Sequence, residues 1–358
     1  MRILYGIQGT GNGHLARARA LVPALRKVGL EPDFVFSGRP RLDYFNMELF
    51  GDFRCFDGLS LTFEKGKIQF WRTATESKLF RLISDMRQLD LSDYDLVLSD
   101  FEPISAWAAR RQGIPSVGIS HQCAFAYDVP KLPGYPSSRL ILKYFAPTDI
   151  KLGLHWHHFD QPLLPPLIEP MSAQSLVENK IIVYMGFEEL NDVIEFVRPF
   201  SNFEFQVYAK VAQPEDYGNI HIRPLSHTEF HRDLLSCYGV ISNAGFELAS
   251  ECLVLGKKLL IKPLLGQYEQ LCNALAIQTL NRATVMQSLD QKLLKQWLEL
   301  PCHTPVVYPD VSAILADWIN SGCRVPVHQL SQETWNQMDM PLTYDARFGR
   351  ALVSGLVT

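Results

Sequence analysis

Arg2-Ile-Leu-Tyr-Gly-Ile-Gln-Gly-Thr-Gly-Asn-Gly-His14 reads as a buried strand running into a glycine-rich loop, and Leu15 to Val28 then has helix length before Gly29 stops it. Asp33 to Ser37 supplies a second strand, so the opening is a βαβ unit. The pattern recurs with a strand at Asp95 to Ser99, a helix over Glu102 to Gln112 closed by Gly113, and a strand at Pro115 to Ile119. Residues 1–160 are therefore expected to form one open α/β sheet. Asp160 to Ser172 carries four prolines and can continue neither a helix nor a central strand, which predicts a linker over 161–178. A second α/β half over 179–310 follows, with strands at Lys180 to Tyr184, Phe205 to Tyr208, His221 to Arg223, Gly239 to Ser242 and Lys258 to Ile261. Val311 to Asn320 is expected as a helix packing back on the first half, and residues 321–358 have no assignable pattern.

The bulk composition fits this two-domain α/β reading. The 358 residues are 47% hydrophobic and 20% charged, which excludes wholesale disorder. Lys plus Arg number 34 against 38 Asp plus Glu, so no global field favours nucleic acid. The seven cysteines are dispersed, never spaced C-x-x-C, and read as reduced, mostly buried thiols. No signal peptide or uncharged membrane-length apolar run is evident, so the expected location is cytoplasmic.

Chemistry concentrates at the glycine loops. Gly9-Thr-Gly-Asn-Gly-His14 lies between strand and helix, where backbone N–H groups converge with a helix N-terminus to bind an anion. A dinucleotide fingerprint needs glycine where His14 stands, although Ser37 and Arg39 would suit an NADP 2′-phosphate, which keeps an oxidoreductase as a minor alternative. At a helix start the dipole favours neutral imidazole, the form a general base needs. Asp100 follows its strand at the same sheet edge and can orient that ring, or it can simply cap the next helix.

Asn243-Ala-Gly-Phe-Glu-Leu-Ala-Ser-Glu251, closed by Gly256, is a second strand, turn and helix, and Glu251 suits a ribose diol. Pro263-Leu-Leu-Gly-Gln-Tyr-Glu-Gln270 leads on to Asn273-Ala as an acid and amide loop suited to sugar hydroxyls.

Ser242 to Ala274 resembles the donor-binding motif of GT-B glycosyltransferases, particularly UDP-sugar glycosyltransferases and the lipid-linked peptidoglycan N-acetylglucosaminyltransferase. The shared features are the small-residue turn, an acid eight residues after its start, glycine five later, then proline, acid or amide with Gln, and Asn-Ala. Gly9 to His14 and His121-Gln122 resemble that family's acceptor-side loops. The resemblance implies a GT-B fold, two Rossmann-like α/β domains facing across a cleft, and an inverting, metal-independent glycosyltransferase of the hexosyltransferase type. It further implies backbone contacts from Gly186, Phe187, Asn243, Ala244 and Gly245 to a UDP diphosphate, Glu251 at the ribose and Leu225 and Ser226 at the uracil. Gln267, Glu269 and Gln270 would read the sugar, with His14 as base and Asp100 its partner. Gly9, Thr10, Gly11, Asn12, Gly13, His121 and Gln122 would line the acceptor side. No cofactor or metal is expected; the partners are a nucleotide-sugar, with UDP preferred, and an acceptor of lipid- or glycan-linked type. The competing readings are a nucleotide-sugar epimerase of related fold and a non-catalytic nucleotide-sugar-binding protein.

Other signals carry less. Asp93-Tyr-Asp95 matches a D-x-D metal motif but precedes its strand, at the wrong edge, and reads as a solvated turn. His155 and His157 alternate on an extended segment, where buried interdomain hydrogen bonding is favoured over a metal. Val129 to Ala146 holds Lys131, Arg139 and Lys143 without an acid, beside Leu140, Ile141 and Tyr144. It is read as a helix packing its apolar side on the core, with peripheral contact at an anionic inner membrane face as the alternative. Leu79 to Leu89 is open to the same two readings.

Overall fold

The structure, a computed structural model, describes residues 1–58, 63–64, 67–68, 76–171, 174–339 and 342–344. The final run from Gly349 to Thr358 lies outside the described residues. A first sheet joins β1 (Ile3–Gln8), β2 (Pro32–Ser37), β3 (Phe53–Phe56), β4 (Leu96–Asp100), β5 (Ser116–Ser120) and β6 (Ile150–Gly153) in the parallel order β3-β2-β1-β4-β5-β6. Every residue of β1 is buried, as a central parallel strand covered on both faces must be. Close packing against it depends on Gly6, where a Cβ would stand 1.9 Å from Ser105 Oγ on helix α2 (Pro103–Gln112).

The second sheet comprises β7 (Val177–Tyr184), β8 (Glu204–Ala209), β9 (Glu215–Tyr217), β10 (Ile220–Pro224), β11 (Cys237–Asn243), β12 (Lys258–Lys262) and β13 (Thr284–Val285). Its order is β9-β10-β8-β7-β11-β12-β13, with only β9 antiparallel to its neighbour. The predicted strands all occur, shifted or extended by up to three residues at their ends.

Helix α1 (Asn12–Lys27) starts three residues earlier than Leu15, so Asn12, Gly13 and His14 form its first turn instead of a loop. Helix α3 (Pro136–Tyr144) buries no residue fully; Leu142 packs against the Leu132, Tyr268 and Leu271 cluster while Leu140, Ile141 and Tyr144 stay exposed, so the core-packing expectation holds only in part. Helices α4 (His227–Ser236), α5 (Phe246–Leu255) and α6 (Tyr268–Thr279) carry the second half's site. Helix α7 (Val311–Asn320) lies against α1 of the first half. Beyond it the unassigned tail contains α8 (Val327–Trp335), where Ser331 Oγ and Trp335 Nε1 both donate to the Leu163 carbonyl, at 2.6 and 2.7 Å, and so anchor the proline-rich segment.

An aromatic joint connects the halves. The His121 ring stacks on Phe246 at 4.0 Å, Trp156 stacks on Phe246 at 4.9 Å and lies 6.2 Å from His121, and Trp156 Nε1 donates to Ser250 Oγ at 2.8 Å. These contacts set the N-terminus of α5 opposite the C-terminal edge of the first sheet, where open α/β sheets place their ligands. The described cysteines are unpaired; Cys237, Cys252 and Cys272 are buried, while Cys55, Cys123, Cys302 and Cys323 are only half-buried, fewer than expected.

Candidate active site

His14, in the first turn of α1, and Asp100, the last residue of β4, meet with Nδ1 2.7 Å from Oδ1. Asp100 does not cap the following helix. Glu102 does, its carboxylate accepting from the Ile104 and Ser105 N–H groups at 2.9 and 2.6 Å. This frees Asp100 for the imidazole, and Phe101 at φ 52° bends the chain out of the strand directly behind it. Asp100 is fully buried, and burial opposes its charge, but Arg17 and His14 prevail and hold its pKa below the usual carboxylate value.

Arg17 went unread in the sequence. It forks onto Asp100 through Nε and Nη2, each 2.8 Å from a carboxylate oxygen, and its Nη2 stands 2.6 Å from His14 Nδ1. Its Nη1 reaches across the cleft to Glu247 Oε1 in the first turn of α5. Gly13 permits this approach, since a Cβ there would lie 3.1 Å from Glu247 Cγ. Spacing held a signal: His14 and Arg17 are i, i+3 on one helix face, and Glu247 is one turn before Glu251. It is Glu247, and not Glu251, that occupies the helix start.

Burial pushes the Glu247 carboxyl up to about 8 against the pull of Arg17, with Asp100 and Glu251 adding repulsion. Below its usual value of 4.5 the group is protonated whether folded or unfolded, and between 4.5 and about 8 only the folded protein keeps the proton. Stability is therefore expected to fall as pH rises through this window, and Glu247→Gln should flatten that slope. Denaturant unfolding at a series of pH values checks this, and parallel wild-type and variant curves would refute it.

Of the residues expected at the donor, Gly186 and Phe187 come beside Asn243, Ala244 and Gly245, because β7 and β11 are neighbours. Asn243 Nδ2 donates to the Lys262 carbonyl at 3.2 Å, while its buried Oδ1 has no partner. Gly245 is the N-cap of α5, and a Cβ there would meet open space. Leu225 and Ser226 lie between β10 and α4, and Ser226 caps α4 through the Glu229 N–H. Glu251 sits in the second turn of α5, 3.4 Å from His231 Nε2.

The three expected sugar-reading residues divide. Gln267 caps α6, and Gln270 Oε1 accepts from the Leu264 N–H at 3.0 Å, so both side chains hold the loop. Glu269 instead meets Gln122, whose Nε2 lies 3.0 Å from each of its carboxylate oxygens.

Of the residues expected on the acceptor side, Gly9 donates its N–H to the Ser37 carbonyl, and Thr10 and Gly11 lead into α1. Asn12 bridges Arg39 and Tyr184 at 3.1 Å each, spanning the two sheets. His121 has both ring nitrogens engaged, with Leu154 O at 2.9 Å and Asn273 Oδ1 at 2.6 Å. The 2′-phosphate alternative fails at Ser37, whose buried hydroxyl donates to Glu102 at 2.6 Å.

Asp93 and Asp95 pair with Arg2 at the opposite edge of the sheet. The His155 ring accepts from the Trp156 N–H and the His157 ring from the Phe159 N–H, while His157 also hydrogen-bonds the backbone of Leu342 in the C-terminal segment. Among the described residues one cluster has metal-ligand types within 4.8 Å of one another: Glu169, His227 and His231. Its members are already paired, Glu169 with His227 at 3.1 Å and His231 with Glu251.

A family model described as Glycosyl transferase family 1 matches residues 1–301. Among solved structures, the chain is similar to the spinosyn rhamnosyltransferase SpnG, at 17% identity and TM-score 0.56, over 100% of both chains. SsfS6, a glycosyltransferase of Streptomyces sp. SF2575 solved with thymidine diphosphate, matches at 14% identity and TM-score 0.56 over 99% of both chains. The glycotransferase of kitacinnamycin matches at 13% identity and TM-score 0.56, over 94% of this chain and 99% of its own. No curated protein matches. At these identities the structural likeness is one of fold.

Proposed function

The chain belongs to glycosyl transferase family 1 and has the GT-B fold, and from that premise we propose that it moves a sugar from a uridine diphosphate donor to an acceptor hydroxyl with inversion. The observation that carries this reading is the His14–Asp100 pair standing directly across the cleft from the N-terminus of α5, with Gly13 against Glu247. In the tautomer with its proton on Nδ1, donated to Asp100, His14 has Nε2 left to take the acceptor's hydroxyl proton. The acceptor oxygen then bonds to the anomeric carbon from the face opposite the leaving group. As that bond forms, the sugar–diphosphate C–O bond breaks and the electron pair leaves with the nucleoside diphosphate. Backbone N–H groups at Gly245 and the first turn of α5 would carry the developing charge, so the step asks for no metal.

Glu251 favours uridine over the thymidine diphosphate found with SsfS6, since its carboxylate would accept from both hydroxyls of a ribose and from one of a deoxyribose. Calorimetry with UDP, dTDP, GDP, CDP and NADP, without added metal, tests the reading. UDP should bind best, and Glu251→Ala should weaken it by about 1–3 kcal/mol while narrowing the gap to dTDP. NADP alone binding would overturn the transferase reading, and an undiminished UDP affinity in Glu251→Ala would remove the ribose role. Among the described residues no helix is long and apolar enough to cross a membrane.

A further inference from the structure

A cavity of about 380 Å³, lined in part by Phe101 next to Asp100, is charged in one sense only. Lys131, Arg139, Lys143 and Lys151 contribute to it from a loop, from α3 and from β6, and no acid is among its described lining residues. Crowding is felt there: burial first, then Arg139, lowers the pKa of Lys131, with Asp128 opposing. Lys131 Nζ donates to the Phe125 and Tyr127 carbonyls, which leaves Arg139, Lys143 and Lys151 to present positive charge to an anion in the cavity.

The rest of the lining says what else the occupant carries. Phe101, directly after Asp100, and Tyr268, directly before Glu269, form aromatic walls that connect the cavity to both halves of the proposed reaction centre. Between them Gln122 is 93% buried. Its Nε2 is spent on Glu269, while its Oε1 has no hydrogen-bond partner. A buried carbonyl oxygen left empty beside a cavity calls for a donor such as a hydroxyl.

We propose that this cavity seats the acceptor, and that the acceptor is a phosphate-bearing molecule with an apolar or aromatic body, its hydroxyl lying between Gln122 Oε1 and the His14 edge. The assignment rests on the transferase reading above. The anion sets orientation through charge-assisted contacts, which explains why these cations come from two separate elements around one space. Arg139 and Lys143 sit on α3, whose exposed Leu140, Ile141 and Tyr144 adjoin the opening, so the phosphate can belong to a soluble molecule or to a lipid headgroup.

The test measures phenyl phosphate binding by calorimetry with UDP held saturating, using benzyl alcohol as the neutral control. Cosedimentation with vesicles of phosphatidylglycerol in phosphatidylcholine forms the second arm. Wild type should bind phenyl phosphate and not benzyl alcohol, and both Arg139→Ala/Lys143→Ala and Lys151→Ala should lose at least about tenfold in affinity while keeping UDP binding. Vesicle binding lost in the same variants would assign the phosphate to a lipid, and phenyl phosphate binding without vesicle binding would assign it to a soluble acceptor. Binding to neither probe, or binding indifferent to the substitutions, overturns the proposal. Failure of every nucleoside diphosphate in the panel to bind would instead strike the transferase reading, and the phenyl phosphate titration repeated without nucleotide would still decide the cavity proposal.

Discussion

Replacing His14 with Ala is expected to lower sugar transfer by about 10²–10⁴-fold, the span typical of a lost general base, while leaving UDP affinity within about twofold. The split follows from where the ring sits. Its contacts run to Asp100 and Arg17 within the first half, whereas the residues proposed for the nucleotide all belong to the second. A glycosyltransferase assay alongside calorimetry reads both quantities. The same pair of measurements separates the rival readings. A non-catalytic nucleotide-sugar binder would show no rate to lose, and an epimerase would turn over donor without any acceptor. Unaltered transfer in the Ala variant would remove His14 from the chemistry, and a product with retained anomeric configuration would remove it as an in-line base.

Much of this was legible because glycine punctuation and apolar runs are local properties. Gly29, Gly113 and Gly256 each adopt positive φ at or just past the end of the helix they were expected to stop. Asp100 could be brought to His14 on paper because both were assigned to one sheet edge, and β1 and β4 do pair with Ile7 opposite Asp100. What escaped were partnerships that sequence distance hides. Arg17 and Glu247 are 230 residues apart, and nothing local pairs one with the other. Arg17 is buried on the face of α1 that also carries His14, Ala20 and Leu21, and a charged residue set into that face was itself the available signal. Helix α8 escaped for another reason: it is short and half-exposed, and is anchored by two side-chain donors on one carbonyl, an arrangement with no periodic signature. The exposed apolar side of α3 shows the limit of amphipathicity as a guide, since the pattern tells which residues share a face and not what covers that face.

Arg17→Met should cost about 3–5 kcal/mol of stability, the range for removing one member of a buried ion pair. Methionine replaces much of the volume, so the loss is electrostatic. At neutral pH Glu247, with its carboxyl pushed up to about 8, can meet the loss of Arg17 by staying protonated. Asp100 has no such escape. It is fully buried, and its charge is held by the two-pronged Arg17 contact together with one His14 nitrogen. Without Arg17 it must keep its charge on His14 alone or take up a proton, and either course also disturbs the base. The variant should therefore lose activity as well as stability, with a shifted pH profile of kcat. Arg17→Lys keeps the charge but not the fork, and should fall between the two. Adding Asp100→Asn to Arg17→Met should recover part of the stability but none of the activity, because the uncompensated charge goes while the ring loses its anionic partner. Denaturant midpoints of the three variants decide the matter: an unshifted midpoint in Arg17→Met would mean the guanidinium carries no net stabilising role between the two halves of the protein.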